Sequence, residues 1–329
     1  YMRVAILSDG KPGHFNQSIG IANIISEDIE VDYEVFKIQP RNKLLRFLLK
    51  PYQRFLVRDF NNTSAKKIIK LFKPINIEGF DLVISSGANT AYLSAAICKI
   101  YKIKNIHSGS IKKINLINYS AHITVEPKSD SPNNIVTKIA PTRFRPSDLS
   151  RKEKHNKILF LIGGNGAGYT YTIEDWQDLV KSIKNISNKS RVIPILVTSR
   201  RTQINHEEFL YSQLIDLADD LSIWTNRNNT ELDLNMLFNS VDNIFVTEES
   251  ATMTAEAISS GLPVFTLCPR NANPTKLFLD QLKRYVDMNL LQRMYFHSDL
   301  SEVDPIEDIS SKVVKIRDNL KKQILYRIK

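Results

Sequence analysis

Val246-Thr247-Glu248-Glu249-Ser250-Ala251-Thr252-Met253-Thr254-Ala255-Glu256-Ala257-Ile258-Ser259-Ser260-Gly261-Leu262-Pro263-Val264-Phe265 is the stretch on which the fold turns. A strand-like run over 243–247 ends in two acids. Small hydroxyl residues then open a helical run, and Glu256 sits one to two turns inside it. Gly261 stands where a helix needs a left-handed terminal residue, and residues 262–267 read as the next strand. Strand, small-residue turn, helix and strand make one repeat of a parallel sheet. Free N–H groups at such a helix start suit a diphosphate, and a carboxylate further along can accept hydrogen bonds from a ribose. The plainer alternative is that Ser250 or Thr252 only caps the helix and Glu256 is solvated.

Working outward, the same pattern recurs. Residues 157–162 read as a strand followed by Gly163-Gly164-Asn165-Gly166-Ala167-Gly168, then a helix over 172–186. Residues 192–198 read as a strand ending in Ser199-Arg200-Arg201. Residues 221–224 suggest a further strand, and a long charged helix begins near residue 306. The first half behaves alike. A strand over 3–7 runs into Ser8-Asp9-Gly10-Lys11-Pro12-Gly13-His14, with a helix over 17–25. Strands are expected over 31–38, 82–85, 105–108 and 122–126, with helices over 43–58, interrupted at Pro51, and over 91–101. The polar stretch 141–156, with two prolines, reads as a linker region. This gives an acceptor-side domain over 1–146, a linker over 147–156, a nucleotide-sugar-binding domain over 157–305 and a C-terminal helix over 306–329 that returns to the first domain. The expected class is α/β with two doubly wound, Rossmann-like domains facing a cleft, where ligands meet the C-terminal ends of the strands.

The 329 residues are 42% hydrophobic and suit two packed domains. No apolar run approaches the roughly 20 residues that cross a bilayer. The opening Tyr1-Met2-Arg3-Val4-Ala5-Ile6-Leu7 reads as a strand and lacks a signal-peptide pattern. Cys98 and Cys268 lie in apolar surroundings without metal-ligand spacing, as buried thiols of a reducing cytoplasm would. The net charge of +10 is uneven. Residues 1–146 carry 22 basic against 11 acidic residues, and residues 37–73 carry eleven against Asp59 alone. Within that stretch Arg46, Lys50, Arg54 and Arg58 recur every four residues among leucines and phenylalanines. A helix so built can lie on an anionic membrane, or can pack on a core with a solvated basic face.

Ser250 to Glu256 followed by Gly261-x-Pro263 resembles the donor motif of GT-B glycosyltransferases. It is especially similar to that of the family that adds N-acetylglucosamine to the undecaprenyl-linked peptidoglycan precursor. Gly163-Gly164-Asn165 and Gly13-His14 match glycine-rich turns of that family. A resemblance spanning nearly the whole chain is to the proteobacterial and plant ELM-type family named for a mitochondrial fission phenotype. It rests on Asp9-Gly10-Lys11-Pro12-Gly13-His14 with Asn16-Gln17-Ser18, on Gly163-Gly164, on Thr198-Ser199-Arg200-Arg201, and on Thr247-x-Glu249-Ser250-x-Thr252-Met253-x-x-Glu256-Ala257. Where that family has Asp-Ser-x-Ser-Met this chain has Glu249-Ser250-Ala251-Thr252-Met253, which keeps charge and hydroxyl and lengthens the acid. The resemblance implies a GT-B-like fold.

On this reading Gly163, Gly164, Asn165, Ser199, Arg200, Arg201, Glu249, Ser250, Ala251, Thr252, Met253 and Glu256 hold a nucleotide-sugar donor. His14 and Asp9 are the candidate catalytic groups, because an acceptor hydroxyl needs a base within reach if the reaction inverts, and inversion and retention both stay open. Lys11, Gly13, Asn16, Gln17 and Asn89 line the acceptor side. Simple turn chemistry at Asp9-Gly10, capping by His14 or Asn89, and surface charge at Arg200 and Arg201 are the competing readings. No Gly-x-Gly-x-x-Gly, P-loop, Asp-x-Asp or His/Cys cluster occurs, so neither cofactor nor metal is expected. The expected activity is sugar transfer to a membrane-linked glycan or lipid acceptor, by a cytoplasmic protein peripheral at the anionic inner leaflet. The alternatives are a non-catalytic membrane-associated scaffold and a sugar-nucleotide epimerase. The leucine-rich basic segment and the absence of a known module disfavour nucleic acid.

Overall fold

A computed structural model describes residues 1–42, 46–146, 154–227, 233–304 and 306–329. They form two compact units, Tyr1–Arg143 with Lys315–Lys329, and Phe144–Val314. The expected linker falls largely on 147–153, outside the described residues.

The first unit runs β1 (Met2–Ser8), α1 (Pro12–Ser26), β2 (Val31–Lys37), α2 (Arg46–Leu56), α3 (Asn62–Lys70), β3 (Leu82–Ser86), α4 (Ala91–Tyr101), β4 (Lys104–Ser108), β5 (Ala121–Thr124) and β6 (Asn134–Val136). Its six strands are all parallel in the order β2-β1-β3-β4-β5-β6. Strand alternation splits the apolar residues between two cores. Val4, Ile6, Leu82, Ile84 and Ile106 meet α1 and the end of the C-terminal helix through Leu320, Ile324 and Ile328. Ala5, Leu7 and Val83 meet α3 and α4 through Ala65, Ile68, Leu93 and Ala96.

Two helices differ from expectation. α1 begins at Pro12, five residues early, because a proline's fixed φ and missing N–H suit the first helical position. Gly13, His14 and Asn16 therefore lie on the helix, not in the preceding loop. α2 runs unbroken through Pro51. A helix tolerates this at the cost of one bond, here to the Phe47 carbonyl. The chain then tightens into a 3₁₀ turn over Val57–Asp59, which takes Arg58 off the α-helical spacing. Lys43 to Leu45 lie outside the described residues.

The second unit runs β7 (Lys157–Ile162), β8 (Tyr169–Thr170), α5 (Ile173–Ser190), β9 (Ile193–Thr198), α6 (Ile204–Leu214), α7 (Leu234–Phe238), β10 (Asn243–Thr247), α8 (Ala251–Ser259), β11 (Val264–Cys268), β12 (Asn271–Ala272), α9 (Lys276–Asp287), β13 (Gln292–Tyr295) and α10 (Ile309–Ile328). The parallel order is β13-β11-β10-β7-β9, and β8 pairs antiparallel with β12. Phe160, Phe245 and Phe265 stack across the middle strands at 5.0 and 4.8 Å between ring centroids. The strand expected over 221–224 shrinks to a single bridge between Val197 and Ile223. The residues after it turn instead to satisfy a buried carboxylate, Glu207, described below. Gly261 follows α8 at φ +75°, and a Cβ there would meet Pro146 at 2.9 Å.

Candidate functional site

In the second unit the C-terminal ends of β7, β9 and β10 come together. Ser250 caps α8 by accepting from the Met253 N–H at 3.3 Å. That side chain serves the helix, as the plainer reading has it, and leaves Ala251 and Thr252 in the first turn, where N–H groups have no intrahelical acceptor. Ala251 is exposed, and Thr252 and Met253 half-buried. Glu256 is buried, not solvated.

Glu249 turns inward onto the glycine turn. It accepts from the Gly164 N–H at 3.2 Å and from the Tyr171 hydroxyl at 2.6 Å, and pairs with Arg201 at 3.2 Å. Thr247 accepts from the Gly163 N–H at 2.8 Å. A Cβ on Gly163 would stand 1.7 Å from the Glu249 carboxylate, and one on Gly164 1.9 Å from the Arg201 carbonyl. These two glycines are thus required by the packing of the turn itself. Burial pushes the Glu249 carboxyl above its ordinary value, opposed by Tyr171 and Arg201. Arg201 remains 43% exposed and Arg200 is exposed, so both can reach a ligand. Asn165 accepts from the Tyr171 N–H at 2.8 Å, and the Ser199 hydroxyl accepts from the Arg201 N–H at 3.2 Å.

Two further buried acids brace this edge. Glu248 accepts from Arg293 through two bonds of 2.8 and 2.6 Å, from Tyr169 at 2.7 Å and from Thr266 at 3.0 Å. Glu207 accepts from Thr198 and from the Asn226 N–H at 3.0 Å, while Thr202 donates to the Gly163 carbonyl at 2.7 Å. The turn that joins these strand ends is therefore held by buried carboxylates whose partners come from within the unit.

In the first unit, Asp9 follows β1 and accepts from the Lys11 N–H at 3.2 Å, from Asn89 at 2.7 Å and from His14 Nδ1 at 3.0 Å. A carboxylate only accepts, so Nδ1 is the donor, and the neutral form of the ring would carry its lone pair on Nε2. Asp9 is nearly closed off, whereas His14 keeps 30% of its side-chain surface. The ring rests against Gly87, where a Cβ would fall 2.2 Å from it. Gln17 accepts from Ser108 at 3.0 Å and Ser18 bonds Ser86 at 2.8 Å, fastening α1 to the ends of β3 and β4. Lys11 is exposed, and Gly13 and Asn16 are half-buried. On α2, Lys50 is exposed and Arg54 half-buried, and Arg58 is exposed on the following turn.

The model of the family described as mitochondrial fission ELM1 matches residues 12–309. The chain belongs to the mitochondrial fission ELM1 family. An uncharacterised protein of Rickettsia prowazekii (strain Madrid E) is 27% identical over 288 residues, covering 80% of this chain and 76% of that protein. Among solved structures, the glycosyltransferase SnogD from Streptomyces nogalater matches with a TM-score of 0.53 at 10% identity, covering 100% of this chain and 99% of that one. The UDP-GlcNAc 2-epimerase of Methanocaldococcus jannaschii matches with a TM-score of 0.50 at 13% identity, covering 96% and 92%. The ELM1-family chain therefore has a GT-B-like fold.

Among its described residues no helix is long and apolar enough to cross a membrane, and no three His, Cys, Asp or Glu side chains are grouped to hold a metal. Sequence reading of this ELM1-family member missed Tyr169, Tyr171, Glu207, Asn226, Glu248 and Arg293. One signal was available: Tyr169 and Tyr171 stand two apart, and such residues share a side of an extended chain. Arg293 lies 45 residues from Glu248 and gave no local signal.

Proposed function

We propose that this chain transfers a sugar from a nucleotide-activated donor to an acceptor hydroxyl on a membrane-linked glycan or lipid. The observation that carries the reading is the Asp9–His14 pair steadied by Asn89 at the end of a parallel strand. His14 Nε2 takes the acceptor proton as the new bond to the anomeric carbon forms, and Asp9 stabilises the resulting imidazolium. The bond from that carbon to the diphosphate breaks in the same displacement, which inverts the anomeric centre. The second unit carries the nucleotide. Charge on the leaving diphosphate meets the first turn of α8 and Arg201, groups of the chain itself rather than a metal. The basic α2 region is the membrane-facing side.

The test is a thermal-shift screen against UDP, GDP, CDP, CMP and their sugar conjugates. A ligand at 100 times its Kd should add about 2.7 kcal/mol. One nucleotide should shift the protein and lose that shift in Arg201→Ala. The donor it identifies should then be consumed with an acceptor, unaffected by EDTA, and not by His14→Ala. Interconversion of the free sugar nucleotide without acceptor would replace transfer by epimerisation, which the same fold performs in the archaeal 2-epimerase. No shift with any nucleotide would leave a binding scaffold without chemistry.

A further inference from the structure

α2 carries three stripes. Leu49, Gln53 and Leu56 turn into the first unit. Lys50 and Arg54 follow the basic spacing. The third stripe is apolar and open: Leu48, Tyr52 and Phe55, at i, i+4 and i+7, are 48, 43 and 63% exposed, and Phe47 beside them is 74% exposed. Large apolar side chains grouped on a surface mark a binding site. A cavity of about 580 Å³ opens against this stripe, walled by Pro40, Leu48, Leu49, Pro51, Tyr52 and Leu71. That volume lies within the range of small-ligand pockets, roughly 300–1,000 Å³. A sugar or nucleotide would find few neutral partners on such walls, which offer only the Asn42 amide and the Tyr52 hydroxyl among prolines and leucines. The charged side chains in the wall, Arg41 and Lys70, are both basic and both exposed. The stretch that supplies every wall residue, 37–73, carries eleven basic residues against one acidic.

We propose that this pocket seats one acyl chain of an anionic phospholipid drawn from the bilayer under α2, with the phosphate held by Arg41 and Lys70. The apolar walls take the chain, the exposed Phe47 and Phe55 enter the interface beside it, and the cations meet the headgroup. The inference rests on the membrane side of the proposed function and is independent of the donor chemistry. It differs from simple adsorption of a basic helix, which needs no pocket.

The experiment titrates the full chain, without nucleotide, by calorimetry with dihexanoyl phosphatidylglycerol below its micelle concentration. Saturable binding is expected, at least about tenfold tighter than glycerol 3-phosphate or dihexanoyl phosphatidylcholine. Leu48→Glu and Tyr52→Glu change exposed residues, so the fold is retained, and each should weaken binding about tenfold or more. Phe55→Ser, outside the pocket wall, should keep soluble-lipid binding while lowering co-sedimentation with phosphatidylglycerol vesicles. Every variant should keep the nucleotide shift of the parent protein, which separates this inference from the donor reading. Equal binding of glycerol 3-phosphate would reduce the site to a phosphate patch and overturn the proposal. Unchanged binding in Leu48→Glu would overturn it equally. So would a concentration-dependent dimer that Leu48→Glu dissolves, since the stripe would then be a self-association surface.

Discussion

Burial pushes the Asp9 carboxyl upward, yet hydrogen bonds from Asn89 and His14 more than offset it, and its pKa lies below the ordinary value. A depressed folded-state pKa contributes stability above the unfolded pKa, and that stability is lost as pH falls through the folded value. Asp9→Asn should therefore flatten the acid limb of a Tm-against-pH curve. If His14 is the base, it should also lower kcat by about 10²–10⁴-fold with the fold intact, because the imidazole loses its orienting acceptor. Gly87→Ala probes the same ring from the other side. Its φ of +80° strains any side chain, and the new methyl would displace His14. About 1–2 kcal/mol of stability and most of the turnover should go, as read by thermal melts and donor consumption. Glu249 has the opposite sign. Its pKa is raised, chiefly by burial, so its contribution is full below the unfolded pKa and is lost as pH rises through the folded one. Glu249→Gln should remove that dependence, whereas Glu249→Ala leaves the Gly164 N–H and Tyr171 hydroxyl unpaired, at about 2–4 kcal/mol in urea unfolding.

Between elements, Glu248 is a clamp. It sits just after β10 and takes bonds from Thr266 on β11, Arg293 on β13 and Tyr169 on β8. Arg293→Met strands a buried carboxylate and should cost roughly 2–4 kcal/mol, moderated because Arg293 is 37% exposed. Arg293→Met combined with Glu248→Gln should cost clearly less than Arg293→Met alone, and a double-mutant cycle in urea reads that coupling. The adjacent acids Glu248 and Glu249 were visible in the sequence, but their division of labour was not. Both lie in the turn after β10, where Glu248 braces β11 and β13 while Glu249 braces the turn after β7. α1 likewise shows local and distant signals. Pro12 stands at its start, five residues before the start expected, while Asn89, expected on the acceptor side, meets Asp9 from 80 residues away through the β1–β3 pairing.

At the scale of the molecule, α10 begins in the second unit and ends in the first. Leu320, Ile324 and Ile328 complete a core of the first unit, and Arg317 and Lys321 hold Glu27 at 2.8 and 3.1 Å. Ile324→Ala should destabilise the first unit by about 2–4 kcal/mol, and removal of residues 315–329 should abolish its cooperative unfolding, as read by calorimetry. The parallel strand-and-helix repeats and the family were determined by the sequence itself. Hydrophobic period, glycine placement and short motifs such as Asp9 to His14 act over a few residues, where chain geometry is local. What only the tertiary structure decided was which polar groups face solvent and which are consumed within. In one dimension Glu249 reads as a donor-binding group, while Glu248 and Glu207 carry no assigned role. Folding saturates them with buried donors, because a carboxylate closed off from water must be paired. The pocket beside α2 arose the same way, since Pro40 and Leu71 join Leu48 and Tyr52 only when the sheet and helices pack.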